Sequence, residues 1–569
     1  MRKSVWRGLF LSCPFLLSCG GSLPEGSLSS EVPPSSEAAS SPSSRYKFGK
    51  SIDPISLPEA EESKSGVGYE IFVGSFADSN GDGIGDLNGI RNHLDYLASL
   101  GVTYLWLTPI HPSSTYHHYD VEDYFSVAPE FGTMEDFSSL CVEAKKRGIK
   151  VVLDMVLNHA SKKSPWFQAA LKDFASGYSA PDSYKDDFVF YDALPSSSPS
   201  RFYGANCGGK TVYYEANFDS NMPEFNLDSP SLRKRQQQIL SYWLSAGASG
   251  FRFDGVYYYY YQNDLKNVAY CKALREFVLS KRSGAYLVGE VWPSSFGNDT
   301  ISTYSSSGMA LFNFLSSVTG SSSFVSYAGQ KKKAGVVFSD IVSVQSKTQG
   351  GTEPVFFLSN HDQDRVRGYF SKYKDPTERL LKRKLASSYL LLTPGTPFLY
   401  YGEEIDLGGV RGNANTDANR RLPFIWKENG DEARCAAPDG ADYSGDQATL
   451  GAIDEESNPN SLLNHYKALI SLRAKYPLFQ KGTYSRLSGS TLEDGETFIR
   501  TVGVGKIEYG GKTYYLIHNE DVSPVSFLLP EEAGEAALLD GVSPDGQAPS
   551  VSGRRIQMGA CASLLLEMK

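Results

Sequence analysis

Gly250-Phe251-Arg252-Phe253-Asp254 is a short apolar run that carries one arginine and ends in an aspartate. Two runs further on repeat that layout. Tyr286-Leu-Val-Gly-Glu290-Val-Trp292 carries Glu290, and Val355-Phe-Phe-Leu-Ser-Asn-His-Asp362 ends in Asp362. Each reads as a buried strand that delivers one carboxyl group from its C-terminal end.

Outward from these runs the pattern recurs along the chain. Tyr69 to Phe76 reads as a first strand, followed by a helix with Leu87, Ile90, Leu94 and Leu97 at helical spacing and Gly101 closing it. Val102 to Leu107 is a second strand. Thr133 opens a helix with Asp136 three residues on as capping-box partner, and Gly148 closes it. Val151 to Leu157 is a third strand, apolar except for Asp154. Candidate strands at 250–255, 286–291, 308–314, 355–360 and 397–401 bring the set to eight. Continuous apolar strands alternating with helices indicate a parallel sheet covered on its outer face. The prediction is an α/β fold, a (β/α)8 TIM barrel with its site at the strand C-termini. The alternative, an open doubly wound sheet, lacks a glycine-rich phosphate loop after the first strand.

The barrel is expected in two parts, 66–157 and 227–478. Between them lies an inserted loop domain, 158–226, rich in Tyr, Ser, Asp, Gly and Pro. From 479 to 569, alternating or continuous apolar runs separated by Gly-Gly and Asp-Gly turns predict a C-terminal antiparallel β-sandwich.

The chain of 569 residues exceeds one ordinary domain. Its 55 basic and 65 acidic residues give a net charge of −10, which argues against a nucleic-acid partner, since phosphate binding needs a basic face. The 35 tyrosines suit a surface on which sugar rings stack, or equally core and interface positions. Seven cysteines, five of them scattered beyond residue 140, outline neither a disulfide framework nor a thiolate metal site.

At the amino terminus, Arg2, Lys3 and Arg7 precede an apolar run from Leu9 to Leu17, too short to span a bilayer. Leu16-Leu17-Ser18-Cys19-Gly20 resembles a bacterial lipoprotein cleavage box. The expectation is a signal peptide over 1–18, lipidation of Cys19, and a folded part held at the bacterial cell surface by two acyl chains. An ordinary secretory signal is the alternative. Residues 19–65, rich in Ser, Pro and Glu, read as a disordered tether.

Asp78-Ser-Asn80-Gly-Asp82-Gly-Ile84-Gly-Asp86 sets oxygen donors at alternate positions, the logic of a calcium loop, with the Ile84 carbonyl as one ligand. With no twelfth-position Glu and no entering helix it is not an EF-hand. One structural Ca2+ pinning the first β/α loop is the expectation, and a solvated Asp/Gly turn is the alternative.

Taken together, these motifs resemble glycoside hydrolase family 13, the α-amylase family, over about residues 66–569. Asp154-Met-Val-Leu-Asn158-His159, Gly250 to Asp254, Gly289-Glu290-Val-Trp and Phe357 to Asp362 look like its four motifs in order. Met222-Pro-Glu-Phe-Asn226 is similar to a fifth, of neopullulanase-like and intermediate members, and Tyr400-Tyr-Gly-Glu-Glu404 is typical of the eighth strand. The resemblance implies Asp254 as nucleophile, Glu290 as general acid/base and Asp362 as the carboxylate that binds sugar hydroxyls. Arg252 would hold Asp254 ionised. His117, Tyr119, His159 and His361 match sugar-binding positions, and Asp417 and Arg421 match residues that grip the next sugar. Asp154 would orient the arginine. The family usually has glycine where His118 stands.

One departure follows Asp254. Where typical amylases continue to a Lys-His pair on the leaving-group side, this chain has Tyr257 and Tyr258, within a run of five tyrosines. The run reads as a stacking platform or as the start of a helix.

The implied activity is retaining hydrolysis of internal α-1,4 bonds in starch, glycogen or maltodextrins, by a monomer. Neopullulanase, oligo-1,6-glucosidase or α-glucosidase, and glucan transferase share the same carboxyl set. Outside the class, the rival is a non-catalytic glycan-binding lipoprotein.

Overall fold

The structure is a computed structural model that describes residues 45–568, apart from 198, 330–333, 413–415, 488–492, 495–496, 499 and 532–533. The signal segment and Cys19 lie outside the described residues. Eight parallel strands form one sheet: β1 (Gly68–Ile71), β2 (Tyr104–Leu107), β3 (Lys150–Met155), β4 (Gly250–Phe253), β5 (Tyr286–Gly289), β6 (Ala310–Phe312), β7 (Pro354–Val355) and β8 (Phe398–Tyr400). They run side by side in chain order, and β8 pairs with β1. A parallel bridge between Phe357 and Phe398 joins the last two and closes the cylinder.

Side chains alternate in direction along each strand, so one set faces the barrel axis. Trp106, Val152, Tyr286, Val288, Phe312, Phe357 and Phe398 form that inner core. Continuing the alternation, Asp154 follows Val152, Arg252 follows Gly250, and Glu290 follows Val288, all on the inward set. Gly250 is required by this geometry, since a Cβ there would stand 1.9 Å from the Tyr286 carbonyl oxygen.

The helices between strands bury one face against the sheet. Met134–Lys146 starts with the expected capping box: the Thr133 side chain accepts from Asp136 N–H while the Asp136 carboxylate accepts from Thr133 N–H. The helix expected from Leu87 to Gly101 is two short helices, Leu87–Asn92 and Leu94–Leu100, interrupted at His93. The His93 ring is stacked 3.7 Å from that of Trp426, a contact from across the fold that holds the break.

The insertion between β3 and β4 is more regular than its composition suggested. It contains a helix, Pro165–Ser176, and a hairpin, Phe202–Cys207 with Lys210–Glu215, to which Phe190–Tyr191 adds a third strand. The C-terminal region holds two five-stranded antiparallel sheets. Val502, Ile517, Phe527, Ile556, Leu564 and Leu566 belong to the apolar cluster they share.

Residues 46–65 lie along the body of the molecule, so the chain expected to be free up to residue 65 is bound from residue 46. The Phe48 ring meets Trp166 at 4.6 Å and Phe125 at 5.2 Å, Lys50 pairs with Asp123 at 2.8 Å, and Ile55 N–H donates to the Ser245 carbonyl. Glu62 pairs with Lys145 and Lys150, and the Ser65 carbonyl accepts from Arg473. No helix among the described residues is long and apolar enough to cross a membrane. The cysteines at 141, 207, 271, 435 and 561 are unpaired.

Candidate active site

The site is assembled from the C-terminal ends of β3, β4, β5 and β7. Asp154 is the last residue but one of an apolar strand, and Arg252 lies beside it because β3 and β4 place the two residues in register. The Arg252 Nη1 donates to both oxygens of Asp154 at 2.9 Å and to Asp254 Oδ1 at 2.7 Å. Its Nη2 stands 2.9 Å from Glu290 Oε2. One guanidinium thus holds three carboxyls. Its plane lies over the Trp106 ring at 4.9 Å, and the Trp106 N–H donates to Asp154.

Asp254 and Glu290 are lateral neighbours. Phe253 pairs with Gly289, so the next residues leave adjacent strands, spaced about 4.8 Å apart, at the same level. Gly255, at φ +55°, turns the chain immediately after Asp254 and lets its N–H donate to Glu290 Oε2 at 3.0 Å. Asp254 Oδ2 and Glu290 Oε1 accept no hydrogen bond among the described residues. Burial raises both carboxyls, Asp254 to about 6 and Glu290 to about 7, and Arg252 offsets only part of that in each. The order puts the shared proton on Glu290.

Asp362 belongs to a second ionic group. His361 stands between two carboxylates, with Nδ1 2.5 Å from Glu70 and Nε2 3.0 Å from Asp362. Arg421 Nη2 donates to the other oxygen of Asp362 at 2.8 Å. Burial disfavours charge on both members, yet the contacts prevail: His361 is lifted to about 10, and Asp362 is held well below the usual carboxylate range. The Tyr119 hydroxyl joins the two groups, donating to Asp154 at 2.9 Å and lying 2.8 Å from His361 Nε2, with its ring stacked on the imidazole.

His117 and His159 edge the same pocket and are neutral. Burial and the Arg421 charge depress His117 to about 4, and burial depresses His159 to about 4. The His159 Nε2 contacts the Tyr119 carbonyl at 3.2 Å. Asp417 makes no contact with Asp362. It pairs with Arg420, whose Nη1 also donates to the Asp362 carbonyl, so it reaches the site through an intermediary.

His118 takes the left-handed conformation, φ +61°, which favours glycine. Its ring compensates by packing 4.4 Å from Phe131 and bonding the His111 carbonyl through Nδ1.

Residues that sequence reasoning passed over include Glu70, Trp106, Tyr116, Arg201 and Phe218. Glu70 carried the same signal as Asp154, a lone acid in an apolar strand. Phe218 carried none. It reaches from the insertion to lie 5.3 Å from His159 and 4.7 Å from Tyr258, and a Cβ on Gly255 would stand 3.3 Å from it. Tyr258 and Tyr261 are stacked at 6.4 Å, and Arg201 caps the Tyr261 ring at 3.9 Å. Of the five tyrosines, Tyr259 turns into the core, Tyr257, Tyr258 and Tyr260 are half-buried, and Tyr261 is exposed.

The Asp/Gly loop wraps on itself. Asp78 accepts from the backbone N–H of Asn80, Gly81 and Gly83, Asn80 from that of Asp82, and Asp82 from that of Ile84. The side chains at 78, 80 and 82 therefore fold back onto the loop's own backbone N–H groups. Asp86 caps the helix Leu87–Asn92 through Gly89 N–H and accepts from Ser79. Among the described residues no three acidic, His or Cys side chains stand close enough together to hold a metal.

Residues 70–482 match the family described as alpha amylase, catalytic domain. The chain is 34% identical over 480 residues to alpha-amylase 3 of Dictyoglomus thermophilum, covering 84% of this chain and 89% of that one. It is 28% identical over 481 residues to the trehalose synthase/amylase TreS of Mycobacterium tuberculosis, covering 75% and 77%. Among solved structures, Amy13B of Eubacterium rectale superposes with a TM-score of 0.77 at 31% identity, covering 88% of this chain and 95% of that one.

Proposed function

The chain belongs to the α-amylase family of glycoside hydrolases, and from that premise we propose that it cleaves internal α-1,4 bonds of starch, glycogen or maltodextrins with retention. The observation that carries this reading is the single guanidinium joining Asp254 and Glu290. Two oxygens bonded to one guanidinium stand within about 8 Å of each other, close enough for both carboxyls to reach one glycosidic bond, and retention, which needs about 5–5.5 Å between them, is taken from the family.

In the proposed reaction Glu290 Oε1 carries the proton, because Oε2 already accepts from Gly255 and Arg252. That proton passes to the glycosidic oxygen as the C1–O bond breaks. Asp254 Oδ2, the oxygen that Arg252 leaves free, forms a bond to C1 and gives a covalent glycosyl ester. Water then attacks C1, Glu290 takes its proton, and Asp254 leaves as carboxylate. Asp362, kept ionised by His361 and Arg421, accepts hydrogen bonds from ring hydroxyls and opposes the positive charge developing on the sugar. His117, Tyr119 and His159 line the sugar held at the cleavage point.

Glu290→Gln keeps the shape and removes the acid. A fall in reducing-sugar release of about 10²–10⁴-fold is expected, with unchanged circular dichroism. Equal release by the two proteins would reject the mechanism and leave the glycan-binding reading. A product profile on amylose, pullulan and panose separates α-1,4 hydrolysis from the neopullulanase and α-1,6 alternatives.

Transfer to a sugar acceptor is a second reading, favoured by the Phe218–Tyr258 pair beside Asp254. Aromatic faces bind a second sugar ring in the place where water must otherwise enter. The relative named trehalose synthase/amylase agrees with it.

Two further parts belong to the proposal. Cys19 would carry the lipid anchor that keeps the enzyme at the bacterial surface, where a polymer too large to import is met; radiolabelled palmitate incorporation that survives Cys19→Ala would exclude it. A Ca2+ held by Asp78, Asn80, Asp82, Asp86 and the Ile84 carbonyl would stiffen the first β/α loop. Chelation should then lower the melting temperature, and an unchanged melt removes the ion from the account.

A further inference from the structure

Glu70 takes no part in the reaction described above, yet it is buried in the pocket floor, 2% exposed. It stands in β1 in register with Trp106 on one side and Tyr400 on the other. Trp106 belongs to the inner core, so Glu70 shares the inward face. Its Oε1 accepts twice from His361, from the backbone N–H at 3.3 Å and from ring Nδ1 at 2.5 Å.

The other ring nitrogen, Nε2, lies 3.0 Å from Asp362 Oδ2 and 2.8 Å from the Tyr119 hydroxyl oxygen. The Tyr119 proton is already committed to Asp154. Nε2 therefore faces two acceptors, and Nδ1 faces a third. A neutral imidazole has one N–H and one lone pair. Either tautomer sets that lone pair against a carboxylate oxygen, that of Glu70 or that of Asp362. Two ring protons satisfy both contacts, and the lifted pKa of His361 agrees. Arg421 holds the other oxygen of Asp362, which keeps the second proton on the ring. The directions then follow in order: Nδ1–H to Glu70, Nε2–H to Asp362 and Tyr119, Tyr119 O–H to Asp154. Asp154 in turn shares Arg252 with Asp254 and Glu290.

We propose that Glu70 is a positioning residue for the glycosidic reaction: it locks His361 as an imidazolium, and through that ring it sets the direction of every hydrogen bond from Asp362 to Asp154. The inference rests on the reading of Asp362 as the carboxylate that binds the sugar. The titratable and charged groups around the ring are Glu70 from β1, Tyr119 from the loop after β2, Asp154 from β3, Asp362 from the loop after β7, and Arg421, whose Nε donates to the His361 carbonyl. Of these, Glu70 alone meets Nδ1. Without its charge the ring gives up its second proton more readily. A lone pair then turns on Asp362, or Tyr119 turns its proton from Asp154 to the ring, and either change disturbs the sugar-binding carboxylate.

The test uses the whole protein with ring-15N histidine. One of the eight histidines, identified by its absence from His361→Gln, should stay doubly protonated up to about pH 9. A His361 ring that is neutral at about pH 8 overturns the proposal. Glu70→Gln keeps the shape and removes the charge, so its His361 should titrate below about pH 8, and an unmoved titration also overturns the proposal. Kinetics read the consequence. Fluoride leaves α-maltosyl fluoride without an acid, so in a Glu290→Gln background kcat/KM carries no limb from Glu290. There it should be flat from about pH 7 to 9 with Glu70 and fall about 10-fold over that range with Glu70→Gln; flat profiles in both overturn the role in the reaction. Maltosyl fluoride left intact by the wild type counts against the hydrolytic reading instead, and the ring titration still judges Glu70. If Glu70→Gln does not fold, the wild-type ring spectrum decides.

Discussion

Glu290 holds Oε2 against two donors, Gly255 N–H and Arg252 Nη2, while Asp254 gives Oδ1 to the same arginine. With Asp254 raised to about 6 and Glu290 to about 7, the pair titrates as a unit. The kcat/KM profile should be a narrow bell, falling below about pH 6 as Asp254 gains a proton and above about pH 7 as Glu290 loses its own. Glu290→Gln should lack the alkaline limb, and a wild-type profile flat from pH 5 to 9 would contradict this assignment of the proton. The His361 group makes a claim about stability. His361 is near 6.5 when unfolded and about 10 when folded, so its contribution is complete below about 6.5 and disappears as pH rises through about 10. Asp362 has the opposite sign: its contribution is present above about 3.9 and is lost as pH falls toward its depressed folded value. Denaturant titrations of wild type and His361→Gln should therefore differ more at pH 6 than at pH 10.5.

At the scale of the element, strand-end chemistry was legible because three apolar runs each ended in a single acid or carried one. Alternation then dictated that Asp154, Arg252, Asp254 and Glu290 share the inward face. The insertion was less legible. Trp166, Phe167, Ala170 and Leu171 have helical spacing behind a Ser164-Pro165 start, but only one helix long, within a stretch whose composition reads as loop. The tyrosine run was ambiguous because its partner, Phe218, lies some 40 residues earlier, in that insertion. In the structure Val256–Tyr258 is a turn of 3-10 helix, and Tyr258 faces Phe218. Tyr258→Ala should raise KM for substrates that fill the leaving-group side by about 2- to 10-fold, the scale of one stacking contact of about 0.5–1.5 kcal/mol. It should also lower the ratio of transfer to hydrolysis on maltotriose. A ratio that does not move would separate the aromatic pair from acceptor binding.

Over the whole molecule, the strand and helix order was readable to the end of the barrel, whereas the path of residues 46–65 was not. Averaged over a window, that stretch is Ser-, Pro- and Glu-rich, yet Tyr46, Phe48, Ile52 and Leu57 all touch the main core. Spaced apolar residues dock an extended strap without leaving any periodicity to detect. Phe48→Ala removes a half-buried ring from Trp166 and Phe125 and should cost about 1–2 kcal/mol of unfolding free energy. An unaltered urea midpoint would mean that the strap rests on the surface without stabilising it.

The ionic arrangement around Arg252 also sets which visitors the pocket welcomes. Two guanidiniums and one imidazolium, Arg252, Arg421 and His361, face Glu70, Asp154, Asp254 and Asp362, with Glu290 keeping its proton. Electroneutrality is missed by one positive charge. A plain glycoside leaves that imbalance untouched, and a uronic acid aggravates it. A ring nitrogen that picks up a proton repairs it while keeping the outline of a sugar, so basic iminosugars should outcompete their oxygen counterparts for the same pocket.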